Sequence, residues 1–252
     1  MDLKLSGKKV FVSGSSRGIG LCIAKKFIEE GAYVVINSRD SEELKAVAAS
    51  LENCHGVAGD VSHPEVALLV IKEAVEILGK IDIVVCNVGS GSSLVGPGDE
   101  TYGEWMRVFS INFFSAVNLI SASSDLLKTS GGSIVCISSI CGSETIPGAP
   151  ITYSVAKAAL NTYVKSMSLP MGKAGIRINA VAPGNINFVG SVWSEKLVKD
   201  PDLVSGMLEN NVPLRKLGCP NDVANLVVWL ASDVADFVTG SVFTTDGGQT
   251  RN

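Results

Sequence analysis

The sequence predicts an α/β fold: a single doubly wound domain over residues 1–252, with a parallel seven-stranded sheet and helices on both faces. Three observations lead there. Short runs rich in Val and Ile alternate with longer amphipathic stretches, the pattern of repeated βα units. A glycine-rich turn directly follows the first of those runs. The length, 252 residues, suits one large domain and is short for two.

The apolar, β-branched runs place strands at 9–13, 33–37, 54–58, 81–86, 133–138, 177–181 and 241–244. The stretches between them place helices at 18–30, 42–51, 64–78, 102–127, 153–173 and 222–231. Gly31, Gly79 and Gly175 stand where helix C-caps are expected. Ser62-His63-Pro64-Glu65 reads as a capping box opening the third helix. Pro170 falls inside the 153–173 helix, where a missing N–H and a ring clash cost ~3 kcal/mol, so a kink is expected there. Residues 184–213 break the alternation just after a strand end, which suits a substrate lid.

Composition narrows the function. The chain is 46% hydrophobic and 18% charged, so it can bury a large core and is not disordered. Lys and Arg total 21 against 25 Asp and Glu, a balance opposite to that of a nucleic-acid binder. No apolar run reaches the length of a membrane span, and no secretory signal is evident at the N-terminus. The six cysteines are scattered without a CxxC and read as buried free thiols, which places the chain in the reducing cytoplasm. The two His residues have no Cys or His at ligand spacing, so no metal site is expected.

The chemistry concentrates in Tyr153-Ser154-Val155-Ala156-Lys157. Tyr and Lys four apart on a helix share a face. A phenol has a pKa of about 10. A neighbouring ammonium favours the phenolate and is expected to lower that value. The pair is therefore suited to moving a proton in a carbonyl/alcohol interconversion. Near the N-terminus, Gly14-Ser15-Ser16-Arg17-Gly18-Ile19-Gly20 leads from a strand into a helix, where backbone N–H groups can receive a pyrophosphate. The next strand ends in Ser38-Arg39, not in the carboxylate that would accept a ribose hydroxyl and repel a 2′-phosphate. Arg17 and Arg39 carry guanidinium forks that match phosphate oxygens, which points to NADP(H), with NAD as the second choice.

Together these residues resemble the short-chain dehydrogenase/reductase family, along essentially the whole chain. The resemblance is to the 3-oxoacyl-thioester reductases and related ketoreductases of Rossmann-like fold. The glycine turn matches, as does Asp60-Val61, the family's adenine-contacting segment. Cys86-Asn87-Val88-Gly89 looks like the family's Asn-Asn-Ala-Gly, with Cys86 and Val88 as departures. Asn112, Ser139, Tyr153 and Lys157 match the catalytic tetrad in order. The segment Arg177–Gly184 with Ile186, including Pro183, looks like the nicotinamide side, and Asp246-Gly247-Gly248 is also characteristic. One departure is the Ser139–Tyr153 interval, one residue longer than is commonest, which the loop 142–150 can absorb.

The resemblance implies a carbonyl/secondary-alcohol oxidoreductase of a small molecule, in a homotetramer formed through the C-terminal helix and strand. Tyr153 would supply the proton, Lys157 would lower its pKa and bind the nicotinamide ribose, Ser139 would polarise the carbonyl, and Asn112 would hold a water. Ile140, Cys141, Asn185 and Trp193 are candidate substrate-pocket residues. Two readings compete: an NAD-dependent sugar, polyol or alcohol dehydrogenase, and a non-catalytic dinucleotide-sensing protein. A sensor is expected to carry a damaged tetrad, and here it is intact.

Overall fold

Every strand runs in the same direction. The computed structural model describes residues 2–129 and 131–250, and its strands join in one parallel sheet of order β3-β2-β1-β4-β5-β6-β7. The strands are β1 (Lys9–Val12), β2 (Tyr33–Ser38), β3 (Cys54–Ala58), β4 (Ile83–Cys86), β5 (Ser133–Ile137), β6 (Arg177–Pro183) and β7 (Val242–Thr245). The helices are α1 (Gly18–Glu29), α2 (Ser41–Ala49), α3 (Pro64–Leu78), α4 (Tyr102–Phe109), α5 (Ser115–Lys128), α6 (Ile151–Lys173), α7 (Val192–Lys199), α8 (Pro201–Asn211) and α9 (Pro220–Ala231). β1 pairs with β2 on one side and β4 on the other, so the chain reverses its direction of travel across the sheet between β1 and β4. A doubly wound sheet binds ligands at the carboxyl ends of its strands, at such a reversal.

Successive strand residues feed opposite cores, as period-2 geometry requires. Phe11, Val35, Val84, Ile134 and Ile178 face one layer with α3, α5 and α6. Val10, Val12, Val34, Ile36, Val85, Val135 and Val181 face the other with α1 and α9. Both faces are apolar, as the near-continuous Val/Ile runs demand. Among the described residues, no helix is long and apolar enough to cross a membrane.

Several expectations need correction. The stretch expected as one helix over 102–127 contains a π-helical turn at Ser110–Phe114 between α4 and α5. The capping box at Ser62–Glu65 does not form: His63 is the N-cap of α3 without a side-chain bond, and Ser62 instead donates to Asp60 Oδ1. Its hydroxyl satisfies a turn that Asp60 already organises. Pro170 lies inside α6, which continues to Lys173. It sits within the last turn, where only one helical bond is lost. Among the cysteines only Cys86 and Cys136 are buried, while Cys219 is exposed; all six are free. The segment 184–213 holds two helices, α7 and α8, each N-capped by a side chain, Ser191 and Asp200.

Candidate active site

The site assembles where β1, β4 and β5 end. Ser13 closes β1, and its hydroxyl donates to Val85 O at 3.3 Å and accepts from Asn87 N at 3.0 Å, which locks the β1 and β4 ends together. Asn87 then donates its amide hydrogens to Ser13 O (3.0 Å) and Gly14 O (2.8 Å). Asn87 thus holds the glycine turn in shape from below. Gly14 and Gly18 have φ values of +60° and +58°, a region that suits glycine. A Cβ on Gly20 would collide with Gly14 O, so the turn closes only with glycine there. Arg17 caps α1 without a side-chain bond, and the first turn has no acidic residue, leaving its N–H groups for an anion.

Ser139 ends the strand-to-loop transition after β5, and its hydroxyl accepts from Cys141 N at 3.2 Å. The Tyr153 phenol stands beside the same hydroxyl, which favours its ionised form. Lys157 is buried, and its ammonium donates to Ile137 O at 2.8 Å. The π turn carries Asn112 inward: its amide donates to Val108 O (3.0 Å) and Ser90 O (3.1 Å) and its Oδ1 accepts from Ser90 N (2.9 Å). Lys157 and Asn112 meet at Gly89, and Tyr153 approaches Gly91. A Cβ on Gly89 would lie 3.0 Å from Lys157 Nζ and 3.1 Å from Asn112 Oδ1. The four residues of the expected tetrad therefore occupy one cluster.

The electrostatics differ from the sequence expectation. Burial pushes the Tyr153 phenol up to about 12, against a smaller lowering by the Ser139 hydroxyl. Burial also pushes Lys157 down to about 8. The expected lowering of Tyr153 by Lys157 is absent, because the ammonium lies 5.9 Å from the ring centroid and bonds to Ile137 O instead. Desolvation of both groups outweighs their coupling.

Residues 14–250 match a family model described as adh_short_C2, enoyl-(acyl carrier protein) reductase. A relative is the 3-oxoacyl-[acyl-carrier-protein] reductase FabG of Chlamydia muridarum, 34% identical over 98% of this chain and 99% of its own. The solved L-sorbose reductase from Gluconobacter frateurii, complexed with NADPH and L-sorbose, superposes with a TM-score of 0.92 at 31% identity, covering 100% of both chains. A 7α-hydroxysteroid dehydrogenase complexed with NADH and 7-oxo glycochenodeoxycholic acid gives 0.90 at 29% identity, over 100% of this chain and 98% of the other. The chain belongs to the short-chain dehydrogenase/reductase family. It is thereby an NAD(P)-dependent oxidoreductase of alcohols and ketones.

The remaining candidates of this family member fall into three groups. On the adenosine side, Arg17 is exposed and Arg39 approaches Asp60 at 4.0 Å. Ser38 Oγ donates to Asp40 O at 3.0 Å. Burial raises the Asp60 carboxyl, but the Ser62 hydrogen bonds, Arg39 and His63 together hold it below its ordinary value. Val61 and Ile186 put their side chains into the two cores, so only their backbones are free to face a cofactor. On the nicotinamide side, Pro183 pairs with Thr245 and Gly184 lies so close to Asp246 that a Cβ would clash. Ile19 and Phe188 both pack against the core around α1 and α9, and the Phe188 ring lies over Gly18. On the substrate side, Ile140 is buried, Cys141 is half-buried, Asn185 donates to Met207 Sδ at 3.6 Å, and Lys196 covers one face of Trp193 at 4.5 Å.

Two supporting residues escape sequence reasoning. Glu100 accepts from Ile151 N at 3.0 Å and Gly98 N at 2.7 Å, so it caps the helix that carries Tyr153 and Lys157. Slight burial raises its carboxyl, but the backbone N–H groups pull it lower overall. Glu104 is held down to about 2 by Arg107, and it also receives Ser93 Oγ and Leu94 N, which pins the 90–95 loop to α4. The acidic residue at 100 lies 51 positions before its partner, a separation that no local motif reveals.

Proposed function

We propose that this protein is an NADP(H)-dependent oxidoreductase that interconverts a ketone and a secondary alcohol on a small molecule, with Asn112, Ser139, Tyr153 and Lys157 as its working residues. The approach of Lys157 and Asn112 to Gly89 and of Tyr153, with Ser139 beside it, to Gly91 carries the reading. The cofactor fits the residues present. The open N–H groups of α1 suit a pyrophosphate, Gly89 leaves room beside Lys157, and the buried Asn187 Oδ1 has no partner, so it can accept from a carboxamide. When bound, the dinucleotide supplies or takes up the hydride.

In reduction, Tyr153 stands protonated at neutral pH and delivers that proton to the developing alkoxide. Ser139 donates to the same oxygen, where preorganised donors are worth most. Lys157 then replaces the proton and steadies the phenolate, which demands that its ammonium turn from Ile137 O toward the phenol and a ribose hydroxyl. Asn112 holds the loop at Ser90, with both amide hydrogens and Oδ1 engaged, and its remaining acceptor capacity would receive a relay water.

Preference for the 2′-phosphate is supported by Ser38 at the β2 end and by the two arginines. The Arg39–Asp60 contact is long and exposed, so it gives way readily to a better anion. Residues 184–213 act as the lid, and Cys141, Asn185 and Trp193 line the substrate side. A cytoplasmic homotetramer accompanies this reading: β7 is an unpaired sheet edge, and Phe237, just before it, is fully exposed. Light scattering that finds a stable monomer at micromolar concentration would remove the tetramer.

The deciding experiment is a screen for NADPH oxidation over ketones, acyl thioesters and keto-sugars, with NADH alongside. Turnover on at least one class, faster with NADPH, is expected. Tight cofactor binding without turnover on any class would instead support a dinucleotide sensor.

A further inference from the structure

Four carboxylates surround the adenosine side: Asp40, Glu42, Glu43 and Asp60. Three have local partners. Asp40 accepts from Glu42 N and Glu43 N and so caps α2. Glu42 pairs with Lys45 at 3.1 Å. Asp60 accepts from Ser62 and faces Arg39. Glu43 does something else. It sits at the third residue of α2, where an acidic side chain ordinarily folds back on its own N-cap backbone. Its Oε2 instead accepts from Ser16 Oγ at 2.9 Å, across 27 residues of sequence.

Ser16 belongs to the glycine turn, and that turn is tied to the end of β2. Ser15 N donates to Asn37 O at 2.9 Å, and Asn37 N donates to Ser15 Oγ at 3.0 Å. The next residue of β2 is Ser38, the position where a carboxylate would read the adenosine ribose. Glu43 therefore returns a negative charge, from the neighbouring helix, to the side of the cleft from which the strand omits it. Ser16 is nearly buried, and it holds the otherwise exposed Glu43 side chain toward the cleft.

We infer that Glu43 is a cofactor-selectivity residue that accepts a hydrogen bond from a free ribose hydroxyl and repels a 2′-phosphate, acting against Arg17 and Arg39. The inference rests on the dinucleotide reading above and refines its choice of cofactor. It makes selectivity a balance between two guanidiniums and one carboxylate that the fold delivers. A like charge beside the phosphate is screened by salt over about 10 Å at 0.1 M, so the opposition is strongest at low ionic strength.

The test is calorimetric titration of NADPH and of NADH into the unmutated protein, Glu43→Gln and Glu43→Lys, at low and high salt. Glu43→Gln should tighten NADPH binding about five- to twentyfold, and Glu43→Lys further, while NADH binding stays the same or weakens. The gain should shrink at high salt. Unchanged NADPH affinity in both variants, or equal changes for the two cofactors, would reduce the Ser16–Glu43 contact to a latch between turn and helix. An unmutated protein that prefers NADH overturns only the NADP(H) preference, since the variants still report on Glu43. Binding of neither cofactor would overturn both.

Discussion

The nicotinamide and adenosine halves of the cleft are built differently. Around Gly89 the candidate groups Lys157, Asn112 and Ser139 are buried and already bonded: Lys157 to Ile137, Asn112 to Ser90 and Val108, Ser139 to Cys141. Around Ser38 the charged groups are exposed, and Arg39 only approaches its partner, Asp60. Buried polar groups are costly unless satisfied, so groups in the half around Gly89 can change partner only for one that satisfies them equally. Exposed ion pairs are worth little, so the adenosine half can exchange partners easily. Changes in the first half should alter rate strongly, and changes in the second should alter cofactor choice.

The largest expected effect is in the buried half. Tyr153→Phe keeps the ring and removes the transferable proton, so turnover should fall about 10²–10⁴-fold. Steady-state kinetics on any substrate found, with cofactor fluorescence to confirm binding, checks it. Near-normal turnover would dissolve the contrast between the halves.

Lys157→Met sharpens the contrast, because it should separate activity from stability. Turnover should collapse, yet the protein should melt higher at pH 7. The unmutated lysine has a folded value of about 8, below its ordinary 10.5, so charging it in the folded state is unfavourable. Between those two values the unfolded chain keeps a proton that the folded protein sheds, so the stability of the unmutated protein rises with pH there. The advantage of Lys157→Met should therefore be greatest below pH 8 and shrink toward pH 10.5. Thermal melts across that range test it; a domain of this size shifts by about 2–4 °C per kcal/mol. In the unmutated protein, reduction should slow as pH climbs through about 8, where Lys157 loses its charge.

In the exposed half, Ser38→Asp combined with Arg39→Ala should move preference toward NADH by about tenfold, the loss of one charge-assisted phosphate contact of ~1.5–3 kcal/mol. Turnover with the favoured cofactor should stay within a few-fold. A large loss of turnover with both cofactors would show that the halves are not separable.

The smallest effect is expected at Glu100. Glu100→Ala removes the cap of the catalytic helix and should lower turnover a few-fold with little change in KM. Glu100→Gln keeps an acceptor for Ile151 N and should restore most of it. An Ala variant that changes KM alone would place Glu100 in the pocket wall and not behind Tyr153.

Legibility followed the same division. α3 lies where the residue pattern puts it, because a Pro-led amphipathic stretch has strong local preferences, and β4 and β5 form where Val/Ile runs mark them. The placement of Ser139, Tyr153 and Lys157 was legible because each stands at a strand end or on a helix face whose place in the chain is regular. The π turn around Asn112 was not legible, since one extra residue in a helical turn leaves the apolar pattern almost unchanged. The lid helices were hidden because both are short and mostly exposed, with only Val204 buried between them, so they lack a strong apolar stripe.

By itself the sequence determined the sheet, its two apolar faces and the four-residue spacing of Tyr153 and Lys157 on one helix. These follow from periodicity and from chemistry carried within a few residues. The tertiary structure alone decided the charge state of that pair and the company that the cofactor turn keeps. Tyr153 and Lys157 look like a mutually stabilised pair at four-residue spacing, yet burial raises one and lowers the other. Glu43 and Asp40 fit an ordinary helix-capping pattern, yet folding sets Glu43 against Ser16, 27 residues away. The physical reason is common to both. Desolvation and through-space charge depend on what surrounds a group in three dimensions, and neighbours along the chain supply only part of those surroundings.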